Sequence, residues 1–230
     1  MKKAIILLSG GLDSATTLFY AKNKKFRCIC LNFFYGQKHK REIESAKKIA
    51  AKAGCPLVTI KIDIPKKASA LTSAEKNIND TSVSGIGKKI PATYVPARNI
   101  IFLSFALSWA EAEKCGHIFI GANAVDYSGY PDCRPEFIKA FQEAARAGTK
   151  SGAEGRMIKI EAPLILKTKA QIIKAAKKLN VPLELTWSCY RGGKLPCGRC
   201  ESCRLRAKGF EEAGVDDPLS FSSKVKEHSA

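Results

Sequence analysis

Two groups of residues in this chain have the types and spacing to do chemistry. The first is Ser9-Gly10-Gly11-Leu12-Asp13-Ser14, which follows the apolar run Ala4–Leu8 and leads into a helical pattern. Adjacent glycines let the backbone turn sharply and leave no side chain to block an anion. The first amides of a helix lack internal partners and lie at the positive end of its dipole. The turn therefore reads as a phosphate cradle, with Asp13 or Ser14 placed to cap the helix. A plain strand-to-helix turn is the alternative. No Gly-Lys-Ser/Thr follows, so this is not a Walker A loop, and the G-x-G-x-x-G dinucleotide spacing is absent. The second group is Cys189-x7-Cys197-x2-Cys200-x2-Cys203. Two residues between cysteines let both sulfurs face one centre from a tight turn. Nearby Arg199 and Arg204, with the amides of a helix starting near Glu201, favour thiolates. Four thiolates suit structural zinc, with no open position for Lewis-acid catalysis. The ferredoxin alternative lacks its fourth cysteine followed by proline.

Two central segments add candidates. Val95-Pro96-Ala97-Arg98-Asn99 precedes a helix and sets Arg98 in its first turn, within reach of a nucleotide; a capped helix with an exposed arginine is the competing reading. Gly121 to Phe137 follows a strand and is dense in polar groups. Within it Asn123, Asp126, Tyr127, Tyr130, Asp132 and Arg134 offer flat rings, acceptors and a cation for a heterocycle bearing a charged group. A hydrogen-bonded Ω-loop with Arg134 paired to an acid is the plainer account.

These groups need a scaffold, and the periodicity supplies one. Continuous apolar runs at Ala4–Leu8, Arg27–Phe34, Leu57–Ile62 and His117–Gly121, with a weaker one at Met157–Ala162, predict strands buried on both faces. Helical patterns alternate with them at Ser14–Asn23, Lys38–Ala53, Arg98–Cys115, Pro135–Arg146 and Thr168–Leu179. Alternating β and α segments predict an α/β fold, a doubly wound, mostly parallel sheet, with the glycine turn at its carboxyl edge. The expected division is residues 1–165 as a nucleotide-binding α/β domain and 166–230 as a small helical, zinc-binding region. Lys66–Ile90 reads as a long loop with a short helix, Gly148–Gly155 as a small-residue connection, and the tail after Pro218 as a fraying end.

Composition narrows the class. The net charge of +18 suits phosphate-rich ligands. The lysines nevertheless spread along helical patterns, at Lys22, Lys24 and Lys25, at Lys47, Lys48 and Lys52, and at Lys174, Lys177 and Lys178. They read as solvated helix faces, and nucleic acid is not an expected partner. Nine cysteines, an odd number, argue against a disulfide framework. No run of about 18 apolar residues exists, so no membrane span is expected. Met1-Lys2-Lys3 and the short apolar run after it read as a first strand rather than a signal peptide, which points to a cytoplasmic protein.

The glycine turn resembles the PP-loop of the ATP pyrophosphatase superfamily, whose members cleave ATP to AMP and pyrophosphate. With Tyr35-Gly36-Gln37-Lys38-His39, Val95 to Asn99, Gly121 to Phe137 and Trp187-Ser188-Cys189, the chain from Ala4 to about Pro218 is similar to the 7-cyano-7-deazaguanine synthase family. Ala97 stands where a glycine is frequent and Lys38 where arginine is common. The resemblance implies conversion of 7-carboxy-7-deazaguanine and ammonia to a nitrile, with two ATP giving two AMP and two pyrophosphate. It implies that Leu8, Ser9, Gly10, Gly11, Leu12, Asp13, Ser14, Ala15, Thr16, Thr17 and Leu18 hold ATP. Asp13 and Ser14 would act at the phosphates with magnesium, and Lys38 and Arg98 would stabilise charge near the α-phosphate. Asn123, Asp126, Tyr127, Tyr130, Asp132 and Arg134 would take the deazaguanine. It also implies a homodimer, which Phe33 and Phe34 would allow as exposed apolar positions. A PP-loop tRNA-modifying enzyme of thiolation or lysidine type, and a zinc-stabilised nucleotide-binding interaction module, are the alternatives.

Overall fold

A computed structural model describes residues 2–80, 90–125 and 129–219. Among these residues five strands, β1 (Lys3–Leu7), β2 (Arg27–Phe34), β3 (Leu57–Lys61), β4 (His117–Phe119) and β5 (Lys159–Glu161), form one sheet in the order β3-β2-β1-β4-β5. Every neighbouring pair is parallel. The chain builds outward from β1 on one side and then crosses to build outward on the other. The order thus reverses between β1 and β4, and such a reversal opens a crevice at the carboxyl ends of the strands. The expected doubly wound sheet is the one found.

Among the described residues, seven helices cover the sheet: α1 (Leu12–Asn23), α2 (Arg41–Ala53), α3 (Arg98–Ala112), α4 (Pro135–Gly148), α5 (Lys150–Ala153), α6 (Lys169–Lys178) and α7 (Glu201–Ala213). Strand β1 shows how the layers form. Ala4, Ile6 and Leu8 enter a core with Leu18 of α1, Ile49 of α2, Ile172 of α6 and Phe210 of α7. Ile5 and Leu7 point the other way, into a core with Leu103 and Ala106 of α3. Period-two alternation between two apolar layers explains why the strand reads as an unbroken apolar run.

Element ends differ from the sequence reading for local reasons. Helix α2 starts at Arg41 rather than Lys38, because the Lys38 amide donates to the Leu71 carbonyl at 3.1 Å and holds the segment to the long loop. Helix α3 stops at Ala112 rather than Cys115, where Lys114 turns left-handed at φ +53°. Helix α1 starts at Leu12, with Gly11 rather than Asp13 or Ser14 as its N-cap. The long loop holds a short 3-10 turn at Lys66–Ala68, after which Ser69 to Ser73 are buried. Its residues 81–89 lie outside the described residues, as does the tail from residue 220.

Phe33 corrects one expectation. It is 5% exposed and stacks on Phe102 with ring centroids 4.1 Å apart, so it offers no surface for a second copy. Among the described residues no helix is long and apolar enough to cross a membrane.

Candidate functional site

A cavity of about 220 Å³ opens at the carboxyl edge, between β1, β2 and β4. Its floor is the glycine turn. Gly10 adopts φ +98°, and a Cβ there would lie 2.2 Å from the Glu42 carbonyl oxygen and 2.7 Å from the Ala46 nitrogen. Only glycine lets α2 pack so closely on the turn. Gly121, after β4, is pressed against the other side, where a Cβ would meet the Ser14 nitrogen at 2.9 Å. The Ser14 hydroxyl reaches back into the turn. It accepts from the Ser9 and Gly10 amides at 3.2 and 3.3 Å and donates to the Gly11 carbonyl at 3.0 Å.

The sequence reading found no lysine following this turn, yet one arrives from far along the chain. The Lys169 ammonium lies 2.8 Å from both carboxylate oxygens of Asp13. It is 7% exposed and is the first residue of α6, behind a capping box made by Thr168 and Gln171. Its stem rests on Gly209 of α7, where a Cβ would come within 2.3 Å of the Lys169 Cγ. One signal for it existed. A cation in the first turn opposes the helix dipole, so Lys169 sits against local preference and needs a partner elsewhere.

Arg98, Asn123 and Tyr130 line the same cavity. Burial works against the charge of Arg98, but Tyr35, Tyr130, Cys133 and Asp132 around it more than offset that, and its pKa moves up. Tyr130 shares a hydrogen bond with Thr93 at 2.7 Å, and burial pushes its phenol up to about 12. Asn123 donates to the Leu164 carbonyl at 3.1 Å while facing the cavity, so it also fastens the chain that leads to Lys169.

Other candidates fall elsewhere. Asp132 is buried, and its carboxylate accepts from the Asn99 amide at 3.0 Å, holding the start of α3 from outside the helix. Arg134 is exposed at the start of α4. Neither lines the cavity. Lys38 lies in a smaller adjoining pocket with its ammonium donating to the Lys76 carbonyl. Asp126 and Tyr127 lie outside the described residues.

The structure adds polar walls that motif reasoning did not single out. Asn32 donates to the Leu8 carbonyl at 2.8 Å, and its Oδ1 is buried without a hydrogen-bond partner among the described residues. Arg206 is 2% exposed, clasps Asp217 at 2.7 and 2.8 Å, and lines the cavity. Glu42 lines the cavity, and burial raises its carboxyl to about 7 even though Arg98 works in the opposite direction.

The four cysteines meet beside this site. The sulfurs of Cys189, Cys197, Cys200 and Cys203 lie within 4.8 Å of one another, and all but Cys197 are buried. Amides of Arg191 and Cys197 each donate to the Cys189 sulfur at 3.4 Å, and the Cys200 amide donates to the Cys197 sulfur at the same distance. Donation from Cys200 and Cys203 holds the Cys189 thiol far below the usual thiol range. Four soft donors brought together and supported by amide hydrogen bonds fit a closed metal site. The same segment reaches the glycine turn, because the Trp187 amide donates to the Gly10 carbonyl at 2.9 Å. Arg191 binds Asp80 at 2.6 Å and so ties the long loop to the cysteine knot.

A family model described as "Queuosine biosynthesis protein QueC" matches residues 3–214. A 7-cyano-7-deazaguanine synthase of Coxiella burnetii is 53% identical over 230 residues, covering 98% of this chain and all of that one. One from Trichodesmium erythraeum is 50% identical over 220 residues, covering 94% of this chain and 99% of that one. Among solved structures, an NMN synthetase from Francisella tularensis aligns at TM-score 0.48 and 14% identity, over 94% of this chain and 87% of that one.

Proposed function

Since the chain belongs to the QueC family of queuosine biosynthesis proteins, we propose that its cavity activates one carboxylate twice with ATP to make a nitrile. The substrate is 7-carboxy-7-deazaguanine, the nitrogen comes from ammonia, and the product is 7-cyano-7-deazaguanine. The observation that carries this reading is the meeting of the Ser9–Ser14 turn, the Lys169–Asp13 pair, Arg98 and Tyr130 in one cavity.

A carboxylate is a poor acyl donor. Its oxygen attacks the α-phosphate, pyrophosphate leaves, and the carbonyl then carries AMP as leaving group. Ammonia adds at that carbon, AMP departs, one ammonia proton is released, and an amide remains. The amide oxygen takes a second AMP from ATP as pyrophosphate leaves, and loss of that AMP together with both amide protons leaves the nitrile. The protein's part is positioning and charge stabilisation. Leu8 and the Ser9–Ser14 turn hold the nucleotide, whereas Ala15, Thr16, Thr17 and Leu18, expected to join them, are buried in α1 away from the cavity and only support the turn. Lys169, fixed by Asp13, adds a cation for the departing pyrophosphate. Arg98 stabilises charge near the α-phosphate. Lys38 would have to leave the Lys76 carbonyl to join it. Tyr130 and Asn123 face the heterocycle, and the orphan Oδ1 of Asn32 supplies an acceptor. Magnesium, carried in with ATP, would neutralise phosphate charge with Asp13 as its candidate ligand. Zinc is the metal we assign to Cys189, Cys197, Cys200 and Cys203, where it would lock Trp187 onto the glycine turn.

In the same proposal residues 1–165 form the nucleotide-binding part and 166–230 the metal-bearing part. The second part supplies Lys169 and Arg206 to the shared cavity. A cytoplasmic homodimer completes the reading. The test is incubation with carboxydeazaguanine, ATP and ammonium. Formation of the nitrile with two AMP per product supports it, and AMP without nitrile refutes it.

A further inference from the structure

A second, smaller pocket adjoins the main cavity, with a volume of about 30 Å³. That is room for a water-sized molecule and far too little for a nucleotide or a fused heterocycle. Most of its wall is shared with the main cavity, including Glu42, Arg98, Leu71 and Tyr190, so the two spaces abut. Lys38 and His39 belong to the small pocket alone. The His39 Nδ1 is buried with no hydrogen-bond partner among the described residues. Gly192, at φ +65°, makes room for that ring, since a Cβ there would fall 2.2 Å from the His39 Cβ. The cysteine knot therefore closes the pocket over the imidazole.

We propose that this pocket is the ammonia subsite of the reaction, where His39 and Glu42 hold the nitrogen nucleophile beside the activated carboxylate. The inference rests on the function proposed above and extends it. The pocket matches its occupant in size and in polarity. The Glu42 carboxylate accepts N–H bonds, and the His39 ring forms part of the wall. Lys38 and Arg98 also face the space, and their charges disfavour ammonium and favour neutral ammonia, the form with a free lone pair. Ammonium arriving from solution gives one proton to the Glu42 carboxylate. An N–H bond breaks, an O–H bond forms, and the lone pair stays on nitrogen. That pair then attacks the acyl carbon, the bond to AMP breaks with its electron pair on the phosphate oxygen, and the surplus proton on nitrogen passes to the departing phosphate.

The test uses the full chain with Glu42→Gln and His39→Leu, and ammonium chloride as the nitrogen source. Each variant should raise the KM for ammonium by about tenfold, through the lost carboxylate in Glu42→Gln and the reshaped wall in His39→Leu, with the KM for ATP moving less than about twofold. An unchanged ammonium KM in both variants overturns the subsite. So does a parallel rise in both KM values. Carboxydeazaguanine-dependent exchange of pyrophosphate into ATP, measured on the parent without ammonium, separates the two claims. Exchange with an unchanged ammonium KM refutes the pocket alone, and no exchange refutes the proposed function and the subsite with it.

Discussion

At the scale of single residues, the Lys169–Asp13 pair has the largest consequences. It joins the start of α6 to the glycine turn across 156 positions of sequence. Replacing Lys169 by methionine keeps the stem against Gly209 and removes the cation. The Asp13 carboxylate is then left in a mostly buried place without its partner. We expect a loss of about 2–3 kcal/mol in urea denaturation, because stranding one member of a buried pair costs more than the pair contributes. Release of AMP should fall by at least about a hundredfold, since a preorganised charge at the phosphates is lost. Glu42 gives a pH prediction. Its carboxyl titrates near 4.5 when unfolded and about 7 in the fold, raised by burial and by the Cys189 thiolate and lowered by Arg98. The folded state therefore binds the proton more tightly. The stability this contributes is present below pH 4.5 and is lost as pH rises through about 7. Glu42→Gln should gain stability relative to the parent at pH 8 and show no gain at pH 4.5, read as the difference between their melting temperatures.

At the scale of elements, two backbone positions decide how helices meet the site. Gly10→Ala would drive a methyl into the α2 backbone and force an L-residue to φ +98°. It should destabilise the protein by more than about 3 kcal/mol, beyond what one flexible side chain could relieve. Soluble yield and a denaturant midpoint check it. Ala97 caps α3 in the left-handed region at φ +55°. Its strain is about 1–2 kcal/mol. Ala97→Gly releases that strain and costs about 0.5–1 kcal/mol of chain entropy, so a net gain of about 0.5 kcal/mol is expected with turnover unchanged. The elements themselves were readable, because buried parallel strands give unbroken apolar runs. Their ends were not, because Lys38 is held by the carbonyl of Leu71 and Lys114 is turned by its own backbone.

At the scale of the whole molecule, the cysteine knot and the charge distribution act together. The knot touches the glycine turn through Trp187 and the long loop through Arg191. Cys200→Ser should lose bound metal by elemental analysis and lower the melting temperature. It should also raise the KM for ATP, an effect a remote structural site would not have. Lysines that look scattered in sequence gather on one layer. Helices α1, α2 and α6 pack on the same face of the sheet, and the exposed Lys22, Lys24, Lys25, Lys47, Lys48, Lys52, Lys174, Lys177 and Lys178 lie on or beside them. Like charges so gathered repel, so moderate salt should raise the melting temperature through screening.

The sequence by itself determined the alternation of strand and helix, the glycine turn and the four-cysteine knot. Each is a short-range pattern, carried by residues a few positions apart. The tertiary structure decided which side chains share the cavity. It brought Lys169 to Asp13 and Glu42 to Arg98, it turned Asp132 toward the start of α3, and it buried Phe33 on Phe102. These outcomes depend on strand order and helix packing, which join residues distant along the chain and leave no local spacing to read. The one trace was a lysine standing against its own helix dipole, a local cost that only a distant carboxylate could offset.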